Sequence, residues 1–211
     1  MRLNDIISGI EVLGISGSRE LEISALTNDS RKVVPGSLFV AVNGCGNDGR
    51  AWIDSAVESG AAAVMFEDDG RTLPEGVCAI RVESSRKAVA LAADNWYGHP
   101  SGKLTLVGIT GTNGKTTTVT LLYNMFRSMG HRCGLLSTIA NYVDSQRLET
   151  ANTTYDPITI NSLIARMAEA GCDYCFIAVS SIGVEQERVT GLEFEEGIFS
   201  HLTHGHLDSH G

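Results

Sequence analysis

The stretch GITGTNGKTTT, residues 108–118, limits the fold more than any other feature, because it joins two segments of different hydrophobic period. Leu104 to Ile109 is a short apolar run that predicts a buried strand. From Thr116 to Met129 the apolar residues Val119, Leu122, Met125 and Phe126 fall at helical spacing, and Gly130 ends the pattern. Strand, glycine loop, helix is the context in which backbone N–H groups can cradle phosphate. Gly111 and Gly114 would let the backbone turn sharply and approach phosphate oxygens, while the helix N-terminus adds partial positive charge. Lys115 would then reach the terminal phosphates and the Thr116 hydroxyl would hold Mg²⁺. The strict Walker spacing fails, since Ile109 stands where its first glycine should be. The competing reading is a plain glycine turn with a surface lysine; the context favours an ATP or GTP site.

The displaced glycine has a family meaning. Gly108-x-x-Gly111-Thr112-x-Gly114-Lys115-Thr116-Thr117 resembles the phosphate loop of the Mur ligase superfamily, ATP-dependent enzymes that form amide bonds. That resemblance implies ATP contacts from Gly111, Thr112, Asn113, Gly114, Lys115, Thr116 and Thr117, with Lys115 as a catalytic group and Thr116 on the metal. Residues 27–50, TNDSRKVVPGSLFVAVNGCGNDGR, with AWIDSAVESGAAAVMFED after them, resemble the N-terminal uridine-nucleotide-binding domain of the third-step, MurE-type ligases. Physically, SLFVAV predicts a buried strand, WIDSAVESG a helix closed by Gly60, and AAAVMFE the next strand. Strands alternating with helices argue for an α/β layer with a parallel component. Asn28 and Ser30 fall where the resemblance implies contact with the uridine end, and Cys45-Gly46-Asn47 fall in its second contact loop. By residue type alone, NDSR is also what a surface turn uses.

Beyond the loop, GLLSTIANYV predicts a strand and its following turn, and a helix is opened by Pro157 and closed by Gly171. The resemblance implies that Asn152, Thr153 and Thr154 contact the UDP-muramoyl dipeptide. It maps Ser180, Gln186 and Arg188, in DYCFIAVSSIGVEQERVTGL, onto further substrate contacts. A guanidinium fork suits a substrate carboxylate, although an arginine in a polar loop is more often simply solvated. Then the pattern departs. The family's Met-Glu-Val-Ser-Ser-His is here Ile177-Ala178-Val179-Ser180-Ser181-Ile182, so Ala178 replaces an acidic residue that helps bind magnesium and Ile182 replaces a histidine. In HLTHGHLDSHG, residues 201–211, His201 replaces an asparagine and Gly205 an aspartate, while His206, Asp208 and His210 remain, His206 as the implied second metal ligand and catalytic group. Phosphoryl transfer is largely electrostatic positioning, so losing a metal carboxylate should slow it by orders of magnitude.

The expected architecture is a small N-terminal α/β UDP-binding domain over residues 1–99, then an incomplete P-loop, Rossmann-like parallel-sheet ATPase domain over 103–211. Gly98-His99-Pro100-Ser101-Gly102 is the expected linker. The resemblance implies that the C-terminal domain is absent, so that this chain alone is an inactive fragment of a ligase. Its implied partners are UDP-N-acetylmuramoyl dipeptide, ATP and an amino acid, with Mg²⁺ as cofactor. A decayed nucleotide-binding or UDP-sugar-peptide-binding protein, and a related ligase with another substrate, are the alternatives. The formal charge of −9 argues against nucleic acid and anionic membranes. No apolar run approaches the roughly 18 residues of a membrane span, and the N-terminus lacks a signal-peptide pattern, which together predict a cytoplasmic protein. Among five cysteines, Cys172-x-x-Cys175 lacks the second pair of a zinc site, so free buried thiols are expected. His201, His204, His206 and His210 remain as a candidate metal cluster.

Overall fold

The structure, a computed structural model, describes residues 1–44, 48–148 and 155–201. The chain forms two compact units, Met1–Gly98 and His99–Gly211, each with its own sheet. No helix among the described residues is long and apolar enough to cross a membrane.

The first unit runs α1 (Leu3–Ile6), β1 (Val12–Ser16), β2 (Leu26–Thr27), β3 (Leu38–Ala41), α2 (Ile53–Glu58), β4 (Ala63–Glu67), β5 (Cys78–Val82) and α3 (Ser85–Trp96). Its sheet has the order β1-β5-β4-β3-β2, parallel throughout except for β1 against β5. All four residues of β3 are buried, which is what a continuous apolar run means in a parallel sheet covered on both faces. Phe39, Ala41, Val64 and Phe66 pack with Ile53 and Ala56 of α2. The predicted helix from Trp52 is shorter than its sequence suggests. Residues Gly49–Trp52 form a 3₁₀ turn, with Asp48 accepting from the Arg50 N–H at 2.9 Å, before the α-helix begins at Ile53.

The second unit runs β6 (Thr105–Thr110), α4 (Lys115–Ser128), β7 (Cys133–Leu136), β8 (Asn141–Val143), β9 (Gln146–Leu148), α5 (Pro157–Glu169), β10 (Tyr174–Ala178), α6 (Ser181–Glu185) and β11 (Glu196–Phe199). The sheet order is β11-β6-β10-β7-β8-β9; the first four strands are parallel and the last two fold back antiparallel. Side-chain alternation sorts the two faces. Val107, Ile109, Cys133, Leu135 and Phe176 meet Val119 and Tyr123 of α4. Leu106, Leu136, Cys175 and Ile177 meet Ile160, Leu163, Ile164 and Met167 of α5.

One expectation changes at this level. The segment read as a strand and turn carries a second strand, because Asn141 turns the chain back and β8 pairs with β7. The two units divide between Gly98 and His99, inside the expected linker. There Pro100–Lys103 is a 3₁₀ turn with Pro100 and Ser101 buried, and the Ser101 hydroxyl accepts from the Glu193 N–H at 3.0 Å. The four described thiols follow the expectation, while Cys45 lies outside the described residues. Cys78, Cys133, Cys172 and Cys175 are free and buried, and burial pushes the Cys133 thiol up to about 11.

Helix α5 sits close to the sheet because β7 contains a glycine. A Cβ on Gly134 would lie 2.2 Å from the Met167 sulfur, 2.8 Å from its Cγ and 2.9 Å from its Cε, and Met167 is fully buried. Gly134→Ala should therefore cost about 1–3 kcal/mol by overpacking. Adding Met167→Val should give a double variant less destabilised than the sum of the singles. Urea unfolding of the four chains checks this, and strict additivity would mean that the two side chains do not compete for the same space.

Candidate functional site

At the carboxyl end of the second unit's sheet, β6, β10 and β11 stop together: Ala178 is in register with Ile109, and Phe199 with Thr110. Beside them, the start of α4, the turn after β7 and the turn after β10 build one cleft of about 340 Å³. Strand ends of parallel sheets are where open α/β folds place their ligands.

The glycine loop leaves β6 at Thr110 and enters α4 at Lys115. Gly111 and Gly114 both take positive φ, 131° and 86°, so each needs the freedom that a side chain removes. Gly111 also has no room for one, since a Cβ would lie 2.4 Å from the Ser200 hydroxyl and 2.8 Å from the His201 carbonyl oxygen. The loop is held from β11. Ser200 Oγ lies 2.7 Å from the Asn113 carbonyl and 3.0 Å from that of Thr110, and the Thr112 N–H donates to the His201 carbonyl at 2.7 Å. The Lys115 ammonium folds back over the loop, donating to the carbonyls of Gly111 and, at 3.1 Å, Thr112.

Lys115 and Thr116 line the cleft; Gly111, Thr112, Asn113 and Gly114 form the turn beside it, and Thr117 is exposed on the first helical turn. Across from the loop, the Ser137–Thr138 turn brings the Thr138 hydroxyl to 3.3 Å from that of Thr116. Asn141 is fully buried beneath that turn, accepting from the Ser137 N–H at 2.9 Å and donating to the Tyr155 hydroxyl. Ser180 caps α6 by accepting from the Gly183 N–H at 3.0 Å and faces the cleft, as do Ala178 and Arg188. Arg188 donates to the side-chain oxygen of Gln186, which stands behind it. Ile182 lies in the first turn of α6, half-buried.

The remaining expected residues divide. In the first unit, Asn28 and Ser30 flank Asp29, the cap of a 3₁₀ turn over Ser30–Lys32. The Arg31 guanidinium, donating at 2.9 and 2.8 Å, holds the Asp29 carboxyl down at about 2. Asn152, Thr153, Thr154, Gly205 and His206 lie outside the described residues, as do Cys45-Gly46-Asn47, His204 and His210. Sequence reasoning missed Thr138, Asn141, Tyr155 and Ser200. Only Tyr155 carried a signal, through its place next to Thr154.

Two family models match the chain. The Mur ligase middle domain matches residues 109–211, and the model described as Mur ligase family, catalytic domain, matches residues 22–97. The chain belongs to the Mur ligase family. Its Mur ligase relatives include a protein of Parabacteroides distasonis, 52% identical over 211 residues, and one of Bacteroides fragilis, 50% identical over 210. Both are named UDP-N-acetylmuramoyl-L-alanyl-D-glutamate--2,6-diaminopimelate ligase. The alignments cover 100% of this chain but 43% of each relative, so the chain spans less than half their length. A solved structure of a ligase of the same name superposes with a TM-score of 0.80 at 24% identity, covering 100% of this chain and 42% of that one, and supports the Mur ligase fold.

Ser200 offers a direct test of how the loop is held. Its hydroxyl bonds span 87 and 90 residues of sequence, and one such bond contributes about 0.5–1.5 kcal/mol. Ser200→Ala should speed amide exchange at Gly111 to Gly114 by about 2- to 12-fold, with little change in the unfolding midpoint. Ser200→Thr, which keeps the hydroxyl, should exchange like the parent. Equal exchange in Ser200→Ala would show that the β11 backbone alone holds the loop.

Proposed function

We propose that this chain is the nucleotide- and substrate-handling part of an ATP-dependent ligase that adds the third amino acid to UDP-N-acetylmuramoyl-L-Ala-D-Glu. The observation that carries the reading is the glycine loop at the end of β6, which opens Lys115 and Thr116 onto the same cleft as Ser180 and Arg188. The names of the relatives support diaminopimelate as the incoming amino acid. In the reaction, a carboxylate oxygen of the dipeptide bonds to the γ-phosphorus of ATP and ADP leaves, giving an acyl phosphate. The amine then attacks the acyl carbon and inorganic phosphate departs with the oxygen. The detour is needed because a carboxylate and an amine do not condense in water with hydroxide as leaving group.

Each group has a task suited to its chemistry. Lys115 swings from its loop carbonyls to the phosphates, and the loop N–H groups and the start of α4 oppose the same charge. Arg188 receives the substrate carboxylate, and Ser180 orients it from the cap of α6. In the first unit, Asn28 and Ser30 hold the uridine end, so binding energy remote from the reaction fixes the reacting end. Asn152, Thr153 and Thr154 extend that grip, and His206 is the remaining candidate at the reacting phosphate.

A second reading is favoured by Ala178. It lines the cleft where the resemblance implies an acidic residue, which suits a chain that binds nucleotide or UDP-sugar peptide without turning it over.

A titration with ADP separates the phosphate-loop reading from an ordinary glycine turn. Lys115→Ala should weaken binding by about 10- to 100-fold, since a charged hydrogen bond is worth about 1.5–3 kcal/mol. Calorimetry that gave equal affinity for both chains would sink the assignment.

A further inference from the structure

The resemblance implies a magnesium ion beside Thr116, and the side chains around the cleft can be tested as its ligands. The hydroxyls among the described lining residues are Thr116 and Thr138, 3.3 Å apart, together with Ser137, Tyr155 and Ser180, which are already bonded to the Ala140 carbonyl, the Asn141 amide and the Gly183 N–H. No aspartate or glutamate is among the described residues that line the cleft, and Ala178 ends β10 facing it. Two cations, Lys115 and Arg188, are there instead. Among the described residues, no three His, Cys, Asp or Glu side chains gather where a metal could sit. Proteins usually hold magnesium through one or two carboxylates together with substrate phosphates, because the small, strongly hydrated ion gives up water only for hard anionic oxygens. The described lining, with two positive charges and no negative one, raises the energy of a free divalent cation and lowers that of a polyanion. The described side chains do not fit a protein-held magnesium.

We propose that the cleft takes a nucleoside di- or triphosphate without a divalent cation, with Lys115 supplying the countercharge at the phosphates and Arg188, which receives the substrate carboxylate, adding to the positive field. The floor suits the rest of such a ligand: Leu136, Ile160, Ile177 and Val179 give it apolar walls, and its cations are confined to two points. This inference rests on the phosphate-loop reading above and adds to it the ionic form of the ligand. It concerns binding only, and its readout is affinity.

The experiment is calorimetric titration of the whole 211-residue chain with ADP, once in magnesium and once in EDTA. The expected result is a dissociation constant in EDTA equal to or lower than that in magnesium, within about threefold. Ala178→Glu should create the dependence that the parent lacks: affinity in EDTA falls by about tenfold as a carboxylate meets the phosphates, and magnesium restores it. Parent binding weakened more than about threefold by EDTA overturns the inference while leaving the phosphate-loop site intact. Failure to bind ADP in either buffer overturns the site itself, and with it the inference. A parallel titration with inorganic phosphate separates the sources of the anion. Weaker binding of phosphate than of ADP supports a nucleotide occupant, and equal affinity overturns that choice.

Discussion

Everything chemical in the second unit depends on the parallel pairing of β6 between β10 and β11. That pairing aligns Thr110, Ala178 and Phe199 within one register step, so three chain exits leave the sheet at the same edge. Parallel strands all send their carboxyl ends one way, and both faces must then be covered, here by α4 on one side and α5 on the other. The covering helices leave only the edge open. Lys115 begins α4, Ser180 caps α6, and Arg188 follows α6, so the cleft is assembled from the starts of crossovers. Small residues permit the close approach: Gly134 admits Met167 on the α5 side, and Gly111 admits the backbone of His201 at the cleft.

What the sequence disclosed follows from the range over which each signal acts. The glycine loop, the apolar run before it and the helical spacing of Val119, Leu122 and Phe126 are local, and β6 and α4 lie within a residue of their expected limits. Pro157 and the cap at Asp156, which accepts from the N–H groups of Ile158 and Thr159, likewise mark α5 from within its own first turn. The hairpin β8–β9 was not legible, because three-residue strands with the polar sequence Gln146-Arg147-Leu148 carry too few apolar positions to show a period of two. Its turn depends on Asp144 at φ 51°, held by Arg127 at 2.6 Å and Arg132 at 3.4 Å. Those partners lie on other elements. Ser200 and Asn141 were missed for the same reason. One is an exposed serine and the other the first residue of a three-residue strand, and both owe their importance to groups brought to them by the fold.

The family resemblance supplied residue roles that spacing could not, and the structure shows where a role can change without a change of fold. Ala178 and Ile182 sit on β10 and α6 as a small residue and a half-buried aliphatic, and neither position demands an ion to fold correctly. Replacing a carboxylate by a methyl group at the rim of a cleft removes a charge whose burial was costly, so the scaffold tolerates the change and the site bears it. Function here is more fragile than architecture.

The turns around the cleft are held by hydroxyls. Ser137, just after β7, donates to the Ala140 carbonyl at 2.7 Å; Ser180, after β10, accepts from Gly183; Ser200, after β11, reaches the loop carbonyl of Asn113. Each serine fixes a turn with a short, uncharged side chain that adds nothing to the local field. An aspartate could cap the same turns, but each would bring a negative charge toward the place where phosphate must sit, and at 4 Å in a partly screened site such a charge is worth about 4 kcal/mol. Among the described residues that line the cleft, these neutral locks leave Lys115 and Arg188 as the charged groups. The geometry of the turns is thereby separated from the electrostatics of the ligand; on the proposed reading, an alanine at 178, where the resemblance implies an acid, changes which ions the cleft favours without disturbing the turns that shape it.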